Sequence, residues 1–176
     1  MKRVLITGMS GTGKSTLLAD LAARGHKTVD TDYGGLTVWH PTAEEWLWDE
    51  DRIQDLLSTE DADMLFVSGT TRNQVAFYPQ FDHVVLLSAP PEVIVARLAA
   101  RTNNPYGKDP AELAMVLQDL EAVEPLLRRG ASFEVDASAP AAEVAAAVLR
   151  LVTSDACSGP TSDACSGPTS DACSGQ

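Results

Sequence analysis

Short apolar runs of strand length alternate along the chain with longer stretches in which apolar residues recur every three or four positions. Residues 4–7 form the first run, which breaks at Gly8. Residues 14–24 carry Leu17, Leu18 and Leu21 at helical spacing, and Gly25 supplies a stop. Thr28 and Val29 predict a second strand ending at Asp30. Residues 44–57 read as a helix anchored by Trp46, Leu47, Ile53, Leu56 and Leu57, with Thr42 as its cap and Glu45 three residues on. On that reading Trp46 packs inward while the acids of the segment face water.

Residues 64–67 and 84–87 predict strands three and four. Pro91 opens a helix through Ala100, since proline suits a first helical turn. Residues 111–128 predict another helix, bent near Pro125, and residues 132–135 a fifth strand. An alanine-rich helix over 141–151 closes the pattern. Five short strands separated by helices predict an α/β fold, its parallel sheet covered on both faces and wound by right-handed crossovers.

Beyond residue 152 the pattern stops. The octapeptide TSDACSGP occupies residues 153–160 and repeats at 161–168, and a third copy ends in Gln176 instead of proline. No copy has a large apolar side chain, so the composition predicts a disordered tail rather than a solenoid. A metal-binding or redox arm built on Cys157, Cys165 and Cys173 is the alternative, although a spacing of eight is unlike the short pairs of tight zinc sites. Residues 1–152 are therefore read as one domain, which 176 residues in all accommodate with a real core.

Charge and cysteine usage narrow the setting. The formal charge is −12, and the body without the repeats holds 22 acids against 13 bases. Such a field repels a nucleic-acid backbone, so no nucleic-acid partner is expected. No apolar run is long enough to span a membrane, and the apolar run after Lys2 and Arg3 is too short for a signal peptide. Without a cysteine in the first 152 residues there is no disulfide framework, and a cytoplasmic protein is expected.

The sharpest local signal is Gly8-Met9-Ser10-Gly11-Thr12-Gly13-Lys14-Ser15, which satisfies GxxxxGK[ST] between a predicted strand and a predicted helix. Glycines let successive backbone N–H groups turn toward one centre, and the helix behind them begins with unpaired donors and a positive dipole end. That arrangement cradles phosphates. Lys14 reaches the β- and γ-phosphates, Ser15 offers a hydroxyl to magnesium, and Thr16 serves the helix start and a nearby phosphate.

Asp30 and Asp32 follow the second strand, at the edge where a parallel sheet places its ligand crevice. One is suited to a magnesium-bound water and the other to an acceptor hydroxyl; a strand-capping turn is the plain alternative. The third strand runs into Ser68 rather than an aspartate, and Asp63 sits at its far end. Asp30 and Asp32 are thus the carboxylates placed to serve a metal.

These residues resemble the small P-loop kinases, the group of adenylate, shikimate and gluconate kinases. The resemblance covers about residues 2–152 and implies a P-loop NTPase three-layer sandwich, nucleoside monophosphate kinase-like, using ATP and Mg2+ on a small-molecule phosphoryl acceptor. The Asp-x-Asp resembles the shikimate kinase arrangement, which gives Asp30 to the metal and Asp32 to the acceptor. Gly69-Thr70-Thr71-Arg72 resembles the Gly-Phe-Pro-Arg of nucleoside monophosphate kinases and implies acceptor contacts for Gly69 and Arg72. Arg97 and Arg101 resemble the helix running into the mobile lid, here residues 102–110, with Arg97 near the base, Arg101 on the phosphates and Lys108 as a further lid charge. A solvated helix edge accounts equally well for their spacing. The loop after strand five, with Asp136, resembles the one bordering adenine.

Residues 33–63 form the acceptor side. Nine acids lie between Glu44 and Asp63, with Arg52 as the single base, so Arg52 and Arg72 are the candidates for holding an anionic acceptor. A neutral or amino-bearing acceptor suits the acids better. No Asn-Lys-x-Asp signature for guanine is present, which favours ATP. The expected activity is magnesium-dependent phosphoryl transfer with Lys14, Asp32 and Arg101 as catalytic residues; a regulatory nucleotide-binding ATPase or switch is the other reading.

Overall fold

The computed structural model describes residues 1–102 and 105–154. The cysteine-bearing repeats from residue 155 on, with Cys157, Cys165 and Cys173, lie outside the described residues, as do Asn103 and Asn104 of the expected lid.

The chain runs β1 (Lys2–Thr7), α1 (Lys14–Ala23), β2 (Lys27–Asp30), β3 (Thr37–His40), β4 (Glu45–Trp48), α2 (Glu50–Ser58), β5 (Met64–Ser68), a 3-10 segment (Arg72–Gln80), β6 (His83–Ser88), α3 (Pro91–Ala100), α4 (Pro110–Ala122), α5 (Glu124–Gly130), β7 (Phe133–Asp136) and α6 (Ala141–Ser154). Five strands form one sheet in the order β2-β5-β1-β6-β7, and every neighbouring pair is parallel. This is the expected three-layer α/β sandwich.

Both sheet faces are buried, which is why the strands read as continuous apolar runs. Along β1, Val4 and Ile6 point into a core with Leu17, Leu18 and Leu21 of α1 and Val144, Val148 and Val152 of α6. Leu5 points the other way, into a core with Trp48, Ile53, Leu57 and Phe77. Burial of Leu- or Phe-sized side chains contributes roughly 1.5–3 kcal/mol each, so these alternating rows hold the two helical layers to the sheet.

The topology also fixes the site. Ile6 of β1 and Asp30 of β2 are both in register with Ser68 of β5. The loops leaving β1, β2 and β5 therefore emerge at one carboxyl edge. Neighbours lie on both sides of β1, β5 toward β2 and β6 toward β7, which makes its end the switch point where such sheets open a crevice.

The expected helix over 44–57 is overturned at its first half. Residues 37–48 form an antiparallel hairpin, β3 with β4, and α2 begins only at Glu50. The cap is Asp49, which accepts a hydrogen bond from the Arg52 amide at 3.2 Å, not Thr42 with Glu45. The reason lies in Thr-Val-Trp-His and Glu-Trp-Leu-Trp: alternating β-branched and aromatic residues satisfy a hairpin better than a helix. Trp46 accordingly is 60% exposed rather than packed inward, and Trp48 takes the core position at 2%.

The bend expected near Pro125 is real and separates α4 from α5 at Val123. The closing helix extends through Thr153 and Ser154, the first two letters of the repeat.

Candidate active site

The phosphate loop joins β1 to α1. Gly13 stands at the helix N-cap with φ 97°, a conformation that disfavours any side chain, and no side chain caps the helix there. The first turn of α1 closes with the Leu17 amide on the Gly13 carbonyl at 2.9 Å. The amides of Lys14, Ser15 and Thr16 precede that bond and belong to the helix's orphan donors. Their dipole end opens into a cavity of about 710 Å3 lined by residues 10–17, Asp32, Arg97, Arg101 and the loop 137–141. Gly8 and Met9 complete the loop from below: Met9 packs in the core against Leu86, Ile94 and Leu98.

Lys14 folds back over the loop, donating to the Gly8 carbonyl at 2.6 Å and to the Met9 carbonyl at 3.3 Å. Burial pushes its pKa below the ordinary lysine value; Asp32 and Asp30 oppose that shift, and Arg101 adds to it. Thr70 Oγ1 donates to the same Gly8 carbonyl at 2.7 Å, which ties the segment after β5 to the phosphate loop.

Asp30 ends β2 and accepts a hydrogen bond from Ser15 Oγ at 2.7 Å. Asp32 lies two residues on. Its pKa is pushed above the usual aspartate value by burial, pulled back by Lys14, and raised again by Asp30. Among the described residues no group of three or more His, Cys, Asp or Glu could hold a metal ion. The hydroxyl of Ser15 and the carboxylate of Asp30 nevertheless form a pair of hard oxygen donors beside the phosphate cradle. That chemistry fits Mg2+, which takes only one or two protein oxygens and completes its shell with phosphate and water.

Arg97 is a strut. Its guanidinium donates to the Thr12 carbonyl at 3.2 Å and to the Ala137 carbonyl at 2.6 Å, locking the phosphate loop to the loop after β7. There Asp136 accepts from the Ser138 amide at 2.8 Å and shapes the turn. Arg101 faces the same cavity and donates to the Tyr106 carbonyl, while its buried Nε has no hydrogen-bond partner among the described residues. Lys108 is exposed and outside the cavity wall.

A second cavity, about 350 Å3, is lined by Asp32, Thr37, Trp46, Thr70 and Thr71. Asp32 is common to both. Arg52 and Arg72 do not line this cavity. Arg72 pairs with Glu45 at 2.8 Å, and Arg52 reaches the Gly35 carbonyl at 3.2 Å and Asp49 at 3.6 Å. Gly69 meets a packing demand: a Cβ there would stand 2.6 Å from Thr31 Oγ1 and 2.8 Å from the Trp48 ring. Of these, Thr37 has no role in the sequence reading, Trp46 stands inside the expected helix, and Thr70 and Thr71 enter only as the middle pair of the Gly69-to-Arg72 segment. The alternation of residues 37–40 and 45–48 is the signal that a hairpin reading needed, since it puts Thr37 and Trp46 on one hairpin face.

Fold and loop together define a P-loop protein with the architecture of the small P-loop kinases. A family model described as an AAA domain matches residues 4–119, and the chain belongs to that family. Among solved structures, the shikimate kinase from Acinetobacter baumannii in complex with shikimate is similar with a TM-score of 0.64 at 20% identity, over 88% of this chain and 94% of that one. The shikimate kinase from Bacteroides thetaiotaomicron also has a TM-score of 0.64, at 21% identity over 87% of this chain and 98% of its own. A sugar kinase from Janibacter sp. is similar at 0.56 and 22% identity, over 87% of this chain and 95% of that one. No curated protein sequence matches the chain. Among the described residues no helix is long and apolar enough to cross a membrane.

Proposed function

We propose that the protein is a kinase that transfers the γ-phosphoryl group of ATP, with Mg2+, to a hydroxyl of a small molecule. One observation carries the reading: Asp32 lines both cavities, the one at the phosphate loop and the smaller one beside it. A carboxylate on that shared wall stands between donor and acceptor. A regulatory ATPase has no need of the second cavity, which favours transfer over switching.

The residues divide the work. The loop amides and Lys14 take the β- and γ-phosphates. Ser15 and Asp30 would hold the metal, which would supply charge neutralisation on the phosphate oxygens. Arg97 fixes the spacing between phosphate loop and base-side loop, and Arg101 adds positive charge at the phosphate end. Asp32 orients the acceptor hydroxyl and receives its proton. The acceptor oxygen forms a bond to the γ-phosphorus as the bond to the β–γ bridging oxygen breaks, and that electron pair leaves with ADP. Positioning and electrostatics supply most of such catalysis.

The test is ATP consumption with Mg2+, with and without a mixture of hydroxylated small molecules. Consumption that rises with the mixture and collapses in Lys14→Ala, with the variant still folded, supports transfer. Slow hydrolysis indifferent to every addition, or full activity in Lys14→Ala, contradicts it.

A further inference from the structure

Resting on the kinase reading, we propose that Thr70 is a positioning residue for the donor phosphates: its hydroxyl fixes the Gly8 carbonyl on which Lys14 is seated. Gly8 is the first residue past β1, whose register ends at Ile6 opposite Ser68 and at Thr7 opposite Leu86. Gly8 is buried and wedged against β6, because a Cβ there would run into the Leu87 carbonyl oxygen. Its own carbonyl accepts two hydrogen bonds, from Thr70 Oγ1 at 2.7 Å and from Lys14 Nζ at 2.6 Å. A carbonyl has two lone pairs and no proton, so both places are filled and the Thr70 hydroxyl can only donate.

The two donors come from different elements: Lys14 opens α1, and Thr70 follows β5. The other hydrogen bond of Lys14, to the Met9 carbonyl, is longer at 3.3 Å, so the Gly8 carbonyl sets where the ammonium stands. An ammonium has three N–H donors. Two of them rest on the loop, which leaves the third for the β- and γ-phosphates. Its aim depends on the tilt of the Gly8 peptide, and Thr70 holds that tilt from the far side. Without the hydroxyl, the carbonyl is free to turn toward the lysine, and the third donor turns with it. Donors stabilise transferring phosphoryl groups only when they are held in place beforehand. Thr70 also lines the second cavity together with Asp32, so this support stands where the donor and acceptor sides meet. In the Gly-Phe-Pro-Arg pattern that the segment resembles, the position is Phe, which has no hydroxyl. The contact therefore belongs to this chain's own departure from the pattern.

The experiment measures two affinities in Thr70→Val, Thr70→Ala and Thr70→Ser. One is the Kd of a non-hydrolysable ATP analogue with Mg2+, by calorimetry. The other is the Kd of AMP at the same site, read by displacement of MgADP. In Thr70→Val and Thr70→Ala the analogue should bind about 3- to 10-fold more weakly, the effect of one hydrogen bond. AMP lacks the phosphates that Lys14 meets and should keep its Kd, and Thr70→Ser should keep both. A loss of packing alone would weaken both nucleotides together. In the parent chain, the analogue with Mg2+ should slow backbone hydrogen exchange over residues 69–72, which decides the matter if neither truncated variant folds. Equal losses for both nucleotides, an unchanged Kd for the analogue in folded Thr70→Val, a Thr70→Ser as impaired as Thr70→Val, or exchange over 69–72 that the analogue does not slow overturns this inference and leaves the kinase reading standing. A parent chain that binds the analogue no more tightly than AMP overturns both.

Discussion

Trp48 donates its indole N–H to Thr31 Oγ1 at 2.9 Å, and that hydroxyl donates in turn to the Ser68 carbonyl at 2.8 Å. Thr31 stands between Asp30 and Asp32, so the hairpin, the two carboxylates and the end of β5 share one buried hydrogen-bond chain. Thr31→Val leaves the Trp48 N–H unpaired in the core. Urea unfolding should register a loss of about 1–3 kcal/mol. Turnover should fall as well, because the carboxylates lose their anchor, and an unaltered kcat would separate the chain from the chemistry.

Gly69 borders the same chain. In Gly69→Ala the new methyl must displace Thr31 Oγ1 or the Trp48 ring, both closer than 3 Å to it. Overpacking of this kind costs about 1–3 kcal/mol. Thermal melting should fall accordingly, with the acceptor KM rising because the hairpin shifts. A stable variant with a changed KM alone would make Gly69 a substrate contact rather than a packing residue.

Ser15→Ala removes a hydroxyl 2.7 Å from Asp30 without touching the core. ATP affinity measured calorimetrically should drop in Mg2+ and stay near the parent value in EDTA. Equal losses under both conditions would place Ser15 on the phosphate and not on the metal.

The two shifted groups set a pH profile. Asp32 must be deprotonated to take the acceptor proton, and burial raises its pKa, so activity should fail on the acid side at a higher pH than a solvent aspartate allows. Lys14 must be protonated, and burial lowers its pKa, so the alkaline limb should fall below the ordinary lysine value. A plot of kcat/KM for MgATP against pH checks both. Limbs at the free amino-acid positions would mean neither group is desolvated in the working enzyme.

Much of this was legible in the chain. The five sheet strands, the phosphate loop and the helix behind it follow from runs of residues that are local and strongly patterned. Residues 44–57 misled because Trp46, Leu47 and Ile53 fit helical spacing, while the competing alternation of Thr37 to His40 with Glu45 to Trp48 pairs residues across a turn. Arg52 and Arg72 could be named from sequence as the acceptor-side bases, yet the Glu45 partner of Arg72 stands on the hairpin that the helical reading concealed, and the Gly35 and Asp49 partners of Arg52 flank that hairpin. The second cavity was hidden for a related reason. Thr37 belongs to no motif, lies far in sequence from the Gly69-Thr70-Thr71-Arg72 segment, and meets it only through the sheet order that sets β5 beside β2.

The most direct measurement is 31P NMR of the products formed from ATP by the whole chain with Mg2+ and the mixture of hydroxylated small molecules. The account predicts ADP together with a new phosphomonoester resonance, both lost in Lys14→Ala. Inorganic phosphate as the sole new product, at a rate no acceptor alters, would contradict it.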